Sequence, residues 1–328
     1  MHIPDGFLDA KTAVASGAMA AAGLALALRN VRRDFPPRRV PLIGLAAAFV
    51  FAGQMLNFPV AGGTSGHLIG AVLAAVLLGP SAAVVVMSSV LILQCFMFAD
   101  GGLTALGANI FNMALVAPCV GYAAYRLVRR FGADGLRSRL LATAFAAWCS
   151  TVAASIACAG QLAASGTALW NVAFPAMAGV HMLVGLGEAV ITTLVVAAVA
   201  RVRPELLEGT GPANGATRYA DLAAYGVLLS LGLVIFVAPF ASGWPDGLQR
   251  VAAVLGFAAR PAAAAALAAP LSNYAVPGLR DARFSTTVAG SAGTLIAFAL
   301  AYLLARVLTP RGEARGQRRG SGRALASS

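Results

Sequence analysis

Residues 179–192, GVHMLVGLGEAVIT, sit inside an apolar run that extends from 172 to 200. About 20 apolar residues cross a bilayer as a helix, so this run reads as a transmembrane helix. Similar runs lie at 12 to 28, 40 to 57, 67 to 79, 82 to 98, 104 to 125, 139 to 163, 219 to 238 and 285 to 308, about nine helices in all. Composition points the same way. Of 328 residues, 59% are hydrophobic and 11% charged, with a mean hydropathy of +0.80, too apolar and too charge-poor for a soluble domain of this length. The expected fold class is an all-α polytopic membrane protein, with about seven helices followed by a two-helix membrane module.

Outward from that run, arginines set the expected orientation. One set of loops and the tail carry Arg29, Arg32, Arg33, Arg38, Arg39, Arg126, Arg129, Arg130, Arg137, Arg139, Arg201, Arg203, Arg218, Arg306, Arg311, Arg315, Arg318, Arg319 and Arg323, which is 19 of the 24 basic residues. Lys11, Arg250, Arg260, Arg280 and Arg283 belong to the other side. The positive-inside rule then places the arginine-rich loops and the C-terminal tail in the cytoplasm and the N-terminus outside a plasma membrane. Net charge of +12 is explained by orientation, and nucleic-acid binding, which needs a basic face on a folded domain, is not expected. Cys95, Cys119, Cys149 and Cys158 all fall in apolar segments without CxxC spacing, so they read as packing residues.

Three histidines occur in the chain, His2, His67 and His181. Met1 followed by His2 can form a chelate that no internal dipeptide can. The α-amine, the amide nitrogen of residue 2 and the His2 Nδ1 close adjacent five- and six-membered rings around one ion. Nearly planar nitrogen ligation suits Ni(II) or Cu(II), which also help to displace the amide proton. The bulk of His2 favours retention of Met1, and MHIPDGFLDAK lacks the basic and apolar regions of a cleaved signal. His67 follows the Gly62–Gly66 run, read as non-helical backbone at the start of a short helix. Its Nε2 supplies a fourth nitrogen if loop and terminus meet; the alternative is a helix-terminal histidine satisfied by backbone. His181 and Glu188 lie seven residues apart on nearly one helical face. Glu188 is the one carboxylate well inside an apolar run, and a charge there needs an interior partner. Proton relay, support of the metal-binding loop and interhelical hydrogen bonding all remain open for this pair.

MHIPDGFL at 1–8, NFPVAGGTSGHLIG at 57–70 and HMLVGLGEAVIT at 181–192 resemble the substrate-binding membrane subunit (CbiM/NikM type) of energy-coupling-factor nickel and cobalt transporters. The resemblance covers about residues 1–205. It implies a seven-helix S-component whose Met1, His2 and His67 bind Ni(II) or Co(II) as cargo, with no permanent cofactor, and makes Asn57, Thr64 and Ser65 loop-shaping residues. It also implies partners: a transmembrane coupling (T) subunit and cytoplasmic ATPases. The chain contains no GxxxxGK[ST] phosphate loop, so ATP hydrolysis is expected in those partners, and the chain is expected to be a transporter subunit rather than an enzyme.

Residues 206–218 break the apolar pattern and read as a linker. The module at 219–309 has two helices flanking an outer loop, about 239–284, and resembles the PDGLE-type small partner subunit of such transporters. Its string reads Pro245-Asp246-Gly247-Leu248-Gln249, with glutamine at the usual acidic position. Pro245-Asp246-Gly247 reads either as a turn into a short helix or as a device that opens the metal loop. Residues 310–328 are rich in Gly, Arg and Ser and are expected to be a disordered basic tail. An alternative reading is a proton-coupled secondary divalent-metal transporter that uses His181 and Glu188. The sequence does not choose between nickel and cobalt, although planar nitrogen ligation suits low-spin nickel and the fused module resembles nickel systems.

Overall fold

A computed structural model describes residues 1–208, 219–259 and 268–309. Within the expected 206–218 linker, only 206–208 are described; the expected disordered tail at 310–328 also lies outside the described residues. Among the described residues, a helix stands at each of the nine apolar runs that the sequence places. The first module contains α1 (Ala10–Asp34), α2 (Val40–Gln54), the hairpin β1 (Phe58–Val60) and β2 (Thr64–Gly66), α3 (Ala71–Leu78) and α4 (Pro80–Leu93). It continues with α5 (Leu106–Asn109), which passes through a widened turn, Ile110–Val116, into α6 (Ala117–Phe131), then α7 (Leu136–Ala164), α8 (Trp170–Val202) and the single turn α9 (Glu205–Glu208). The second module contains α10 (Tyr219–Phe236), the short α11 (Gly247–Val254) and α12 (Ala282–Leu308).

Among the described residues, seven helices are long and apolar enough to cross a membrane, so the chain is a multi-pass membrane protein. Two of the nine apolar runs are not full spans. α2 has 15 residues, about 22 Å at 1.5 Å per residue, against a hydrocarbon core of about 30 Å. α3 has eight residues and begins at Ala71 rather than His67. Gly70, with φ of +78°, closes the loop before it, a conformation that excludes most L side chains. The Gly/Ser-rich run therefore becomes a β-hairpin, with Phe58 paired to Gly66 and Val60 to Thr64, and His67 belongs to the loop after it.

α7 and α8 form the most extensive helix pair, and α2 is packed by both α10 and α12, so the two modules share one interior. The arginine-rich ends and the chain terminus lie at opposite ends of the bundle. At one end Arg39 donates to the Leu77 carbonyl and Arg139 to the Leu207 carbonyl. At the other, the α1 N-cap Asp9 accepts from Ser165 Oγ just beyond α7.

Candidate metal centre

The extended amino terminus is fastened at residue 3. Ile3 N donates to Asn109 Oδ1 at 2.8 Å, while Asn109 Nδ2 and Gly102 N donate to the Ile3 carbonyl at 3.1 and 2.8 Å. Two residues on, Asp5 Oδ1 accepts from the Thr104 N–H at 2.8 Å and its hydroxyl at 2.6 Å. A Cβ at Gly102 would stand 2.3 Å from Asp5 N and 2.7 Å from the Pro4 carbonyl carbon, so only glycine lets the two backbones approach. Pinning Ile3, which is fully buried, fixes where Met1 and His2 sit.

The structure brings together the three residues singled out as ligands. The Met1 amine lies 3.1 Å from His67 Nε2, and the His2 and His67 rings stack at 5.5 Å and 22°. His67 Nδ1 lies 3.1 Å from the Leu68 carbonyl; donating its N–H there leaves an Nε2 lone pair facing the amine, the tautomer a metal ligand needs. His2 is engaged differently. Its Nδ1 is 3.1 Å from Asp100 Oδ1 and its Nε2 is 3.2 Å from Gln94 Oε1. Burial lowers the His2 pKa, against the opposing effect of the Asp100 charge. Among the described residues, no group of three or more His, Cys, Asp or Glu side chains is arranged to hold a metal.

The second module supplies a carboxylate at the terminus. Asp246 Oδ2 accepts from the Met1 amine at 2.9 Å. Burial alone raises the Asp246 pKa, but the adjacent ammonium and the Gln249 N–H outweigh it and hold the carboxyl below its usual range. Asp246 also caps α11 in a reciprocal box: Gln249 N donates to Asp246 Oδ1 at 2.8 Å, and Asp246 N donates to Gln249 Oε1 at 3.1 Å. Glutamine at 249 thus serves the box as glutamate would. The Pro245 carbonyl accepts from Ser65 N at 2.9 Å, and Ser65 Oγ donates to the Trp244 carbonyl at 2.7 Å. Asn57 takes part through its carbonyl, which accepts from Ser242 N at 2.8 Å, and buried Thr64 closes the hairpin opposite Val60.

Glu188 and His181 both turn to the main chain. Both Glu188 oxygens accept backbone N–H groups, from Ile69 at 2.6 Å and Gly70 at 3.0 Å, two and three residues after His67. His181 Nδ1 lies 2.8 Å from the Met177 carbonyl one turn back. A Cβ at Gly247 would lie 2.9 Å from His181 Nε2, so glycine lets the Asp246 turn close over that ring. A void of about 10 Å³ among Met1, His67, His181 and Asp246 is the size of one water-scale occupant.

Asp100, Gln94, Asn109 and Tyr274 were not among the sequence-derived candidates. Gln94 carried a readable signal, a buried amide within the apolar run 82–98. Its Nε2 donates to Gln54 Oε1 at 2.7 Å, and Gln54 Nε2 donates to the Ile69 carbonyl at 2.9 Å. A continuous polar chain thereby joins His2 to the loop that Glu188 holds.

Two family models match. The cobalt uptake substrate-specific transmembrane region (CbiM) matches residues 2–206, and the PDGLE domain matches 220–310. A putative fused nickel transport protein NikMN of Archaeoglobus fulgidus is 37% identical over 308 residues, covering 93% of this chain and 98% of the relative. The fused nickel transport protein NikMN of Rhodobacter capsulatus is 38% identical over 252 residues, covering 71% and 73%. Among solved structures, a transition metal transporter at 37% identity superposes with a TM-score of 0.57, covering 64% of this chain and 97% of that one.

Proposed function

The chain belongs to the CbiM family of cobalt-uptake transmembrane regions, here joined to a PDGLE domain, and on that footing we propose that it captures Ni(II), or Co(II), for import. The ion takes a square-planar set of four nitrogens: the Met1 amine, the His2 amide, His2 Nδ1 and His67 Nε2. The observation that carries this reading is the 3.1 Å approach of the Met1 amine to His67 Nε2, 66 residues apart in sequence. Nickel fits first, because planar nitrogen ligation suits its low-spin form and because the fused relatives of similar length bear nickel names.

The terminus faces outward and receives the ion there; the arginine-rich loops face the cytoplasm. Asp246 holds the amine, so loading requires the Asp246 turn to yield. Inward delivery is driven by a T subunit and cytoplasmic ATPases, in line with the absence of a phosphate loop from this sequence. The secondary-transporter alternative would need a carboxylate free to exchange protons. Glu188 instead has an oxygen on each of two backbone donors.

Reconstitution separates the two. Uptake of Ni(II) into proteoliposomes is expected only with the T subunit, the ATPases and ATP present. Uptake by this chain alone, driven by a proton gradient, would overturn the proposal.

A further inference from the structure

We infer that Asp100 holds the His2 ring by the nitrogen the ion needs, in competition with the ion, and that Tyr274 of the C-terminal module sets how firmly Asp100 does so. The inference rests on the chelate proposed above. Closing a six-membered ring with the residue 2 amide requires Nδ1, and Nδ1 is the His2 atom facing Asp100 Oδ1 at 3.1 Å. The opposite nitrogen faces Gln94 Oε1 at 3.2 Å. Once an ion occupies Nδ1 the ring carries its hydrogen on Nε2, and a carbonyl oxygen there is the acceptor that a ligating histidine uses. Asp100 and Gln94 thus act in opposite directions on one ring: Asp100 competes with the ion, whereas Gln94 supports the bound form.

Tyr274 fixes the competitor. Its hydroxyl donates to Asp100 Oδ2 at 2.6 Å, leaving Oδ1 for His2. Asp100 is partly open to solvent, at 29% side-chain exposure, so without this second bond it is free to swing into water. The tyrosine is held to its task. Its ring stacks on Phe98 at 4.7 Å, Leu271 N donates to the Met97 carbonyl at 2.9 Å, and Asn273 and Tyr274 both adopt left-handed backbone, with φ of 54° and 56°. Two consecutive non-glycine residues in that region are costly and persist only where the surroundings impose them. The second module therefore reaches both ligating residues of the terminus by separate routes: Asp246 on the Met1 amine, and Tyr274 through Asp100 on His2. Tyr274 is a positioning residue, distinct from the ligands.

The test uses the full untagged chain and Ni(II) alone, following capture by stopped flow and affinity by competition with a chromophoric chelator. A hydrogen bond to a charged group is worth enough that Asp100→Ala should speed capture, or tighten affinity, by about tenfold. Tyr274→Phe should act in the same direction by about threefold and have no further effect in the Asp100→Ala background. Gln94→Ala should act oppositely. If Asp100→Ala fails to fold, Asp100→Asn, a neutral and weaker acceptor, should give a smaller acceleration. Slower or weaker binding in the Asp100 variants, or a Tyr274→Phe effect that persists without Asp100, would overturn the inference. Inserting one residue between Met1 and His2 serves as the control: binding that survives it defeats the chelate itself, while binding lost there with no change in the Asp100 variants defeats only the present inference.

Discussion

Two buried polar clusters sit a few residues apart in this bundle and use their polarity differently. At the terminus, the Met1 amine and His67 Nε2 face one another, and the His2 nitrogens face only side chains. On α8, Glu188 has both oxygens on backbone N–H groups and His181 turns Nδ1 to the carbonyl one helical turn back. Polar atoms committed to main chain shape a loop; nitrogens left facing each other can accept an ion. The α8 cluster supports the terminal one, because the backbone groups that Glu188 holds, at Ile69 and Gly70, belong to the loop that carries His67.

The contrast breaks most visibly at the terminus. One residue inserted between Met1 and His2, or a tag ahead of Met1, removes the joined rings and should cost more than about a hundredfold in Ni(II) affinity, beyond the loss typical of outer-shell changes. Isothermal titration checks this; unchanged affinity in the tagged protein would place the ion elsewhere. Next in size is Glu188→Ala, which orphans two buried backbone donors at about 1–3 kcal/mol each. It should lower thermal stability and weaken Ni(II) binding together, because the loop carrying His67 loosens. Glu188→Gln keeps one acceptor and should impair transport more than binding; if Gln leaves melting, affinity and transport unaltered, Glu188 is only a packing residue.

Smaller effects sharpen the boundary between the clusters. Ser65→Ala removes the hydroxyl bond to the Trp244 carbonyl and should cost about 1 kcal/mol, seen as a lower melting temperature and easier proteolysis near the Asp246 turn. His181→Leu tests the α8 cluster most simply. Loss of one local bond should leave Ni(II) affinity within about threefold, whereas the proton-coupled alternative requires uptake to collapse.

Much of this architecture was legible in the residues. Apolar runs of about 20 residues located the long helices, and Met1-His2 and His67 were singled out as residues that the fold does bring together. The run at 40–57 did become a helix, but a 15-residue one packed by α10 and α12, because hydropathy measures burial in any apolar medium and does not fix a helix's length. His67 was placed at a helix start because glycines signal a break without giving its shape; the hairpin depends on cross-strand pairing. Asp246 looked like a turn residue, and it does cap α11; its second role at the amine depends on a contact across 245 residues that no local pattern encodes. Asp100 and Tyr274 were invisible for the same reason.

The proposed chelate surrounds the ion with four nitrogens in one plane. The most direct measurement is X-ray absorption on the Ni(II)-loaded full chain with its authentic Met1, together with its visible spectrum. The account predicts four short nitrogen neighbours and the diamagnetic signature of planar Ni(II). A six-coordinate, oxygen-containing, paramagnetic site would contradict it and turn attention to Asp246 and Asp100 as ligands.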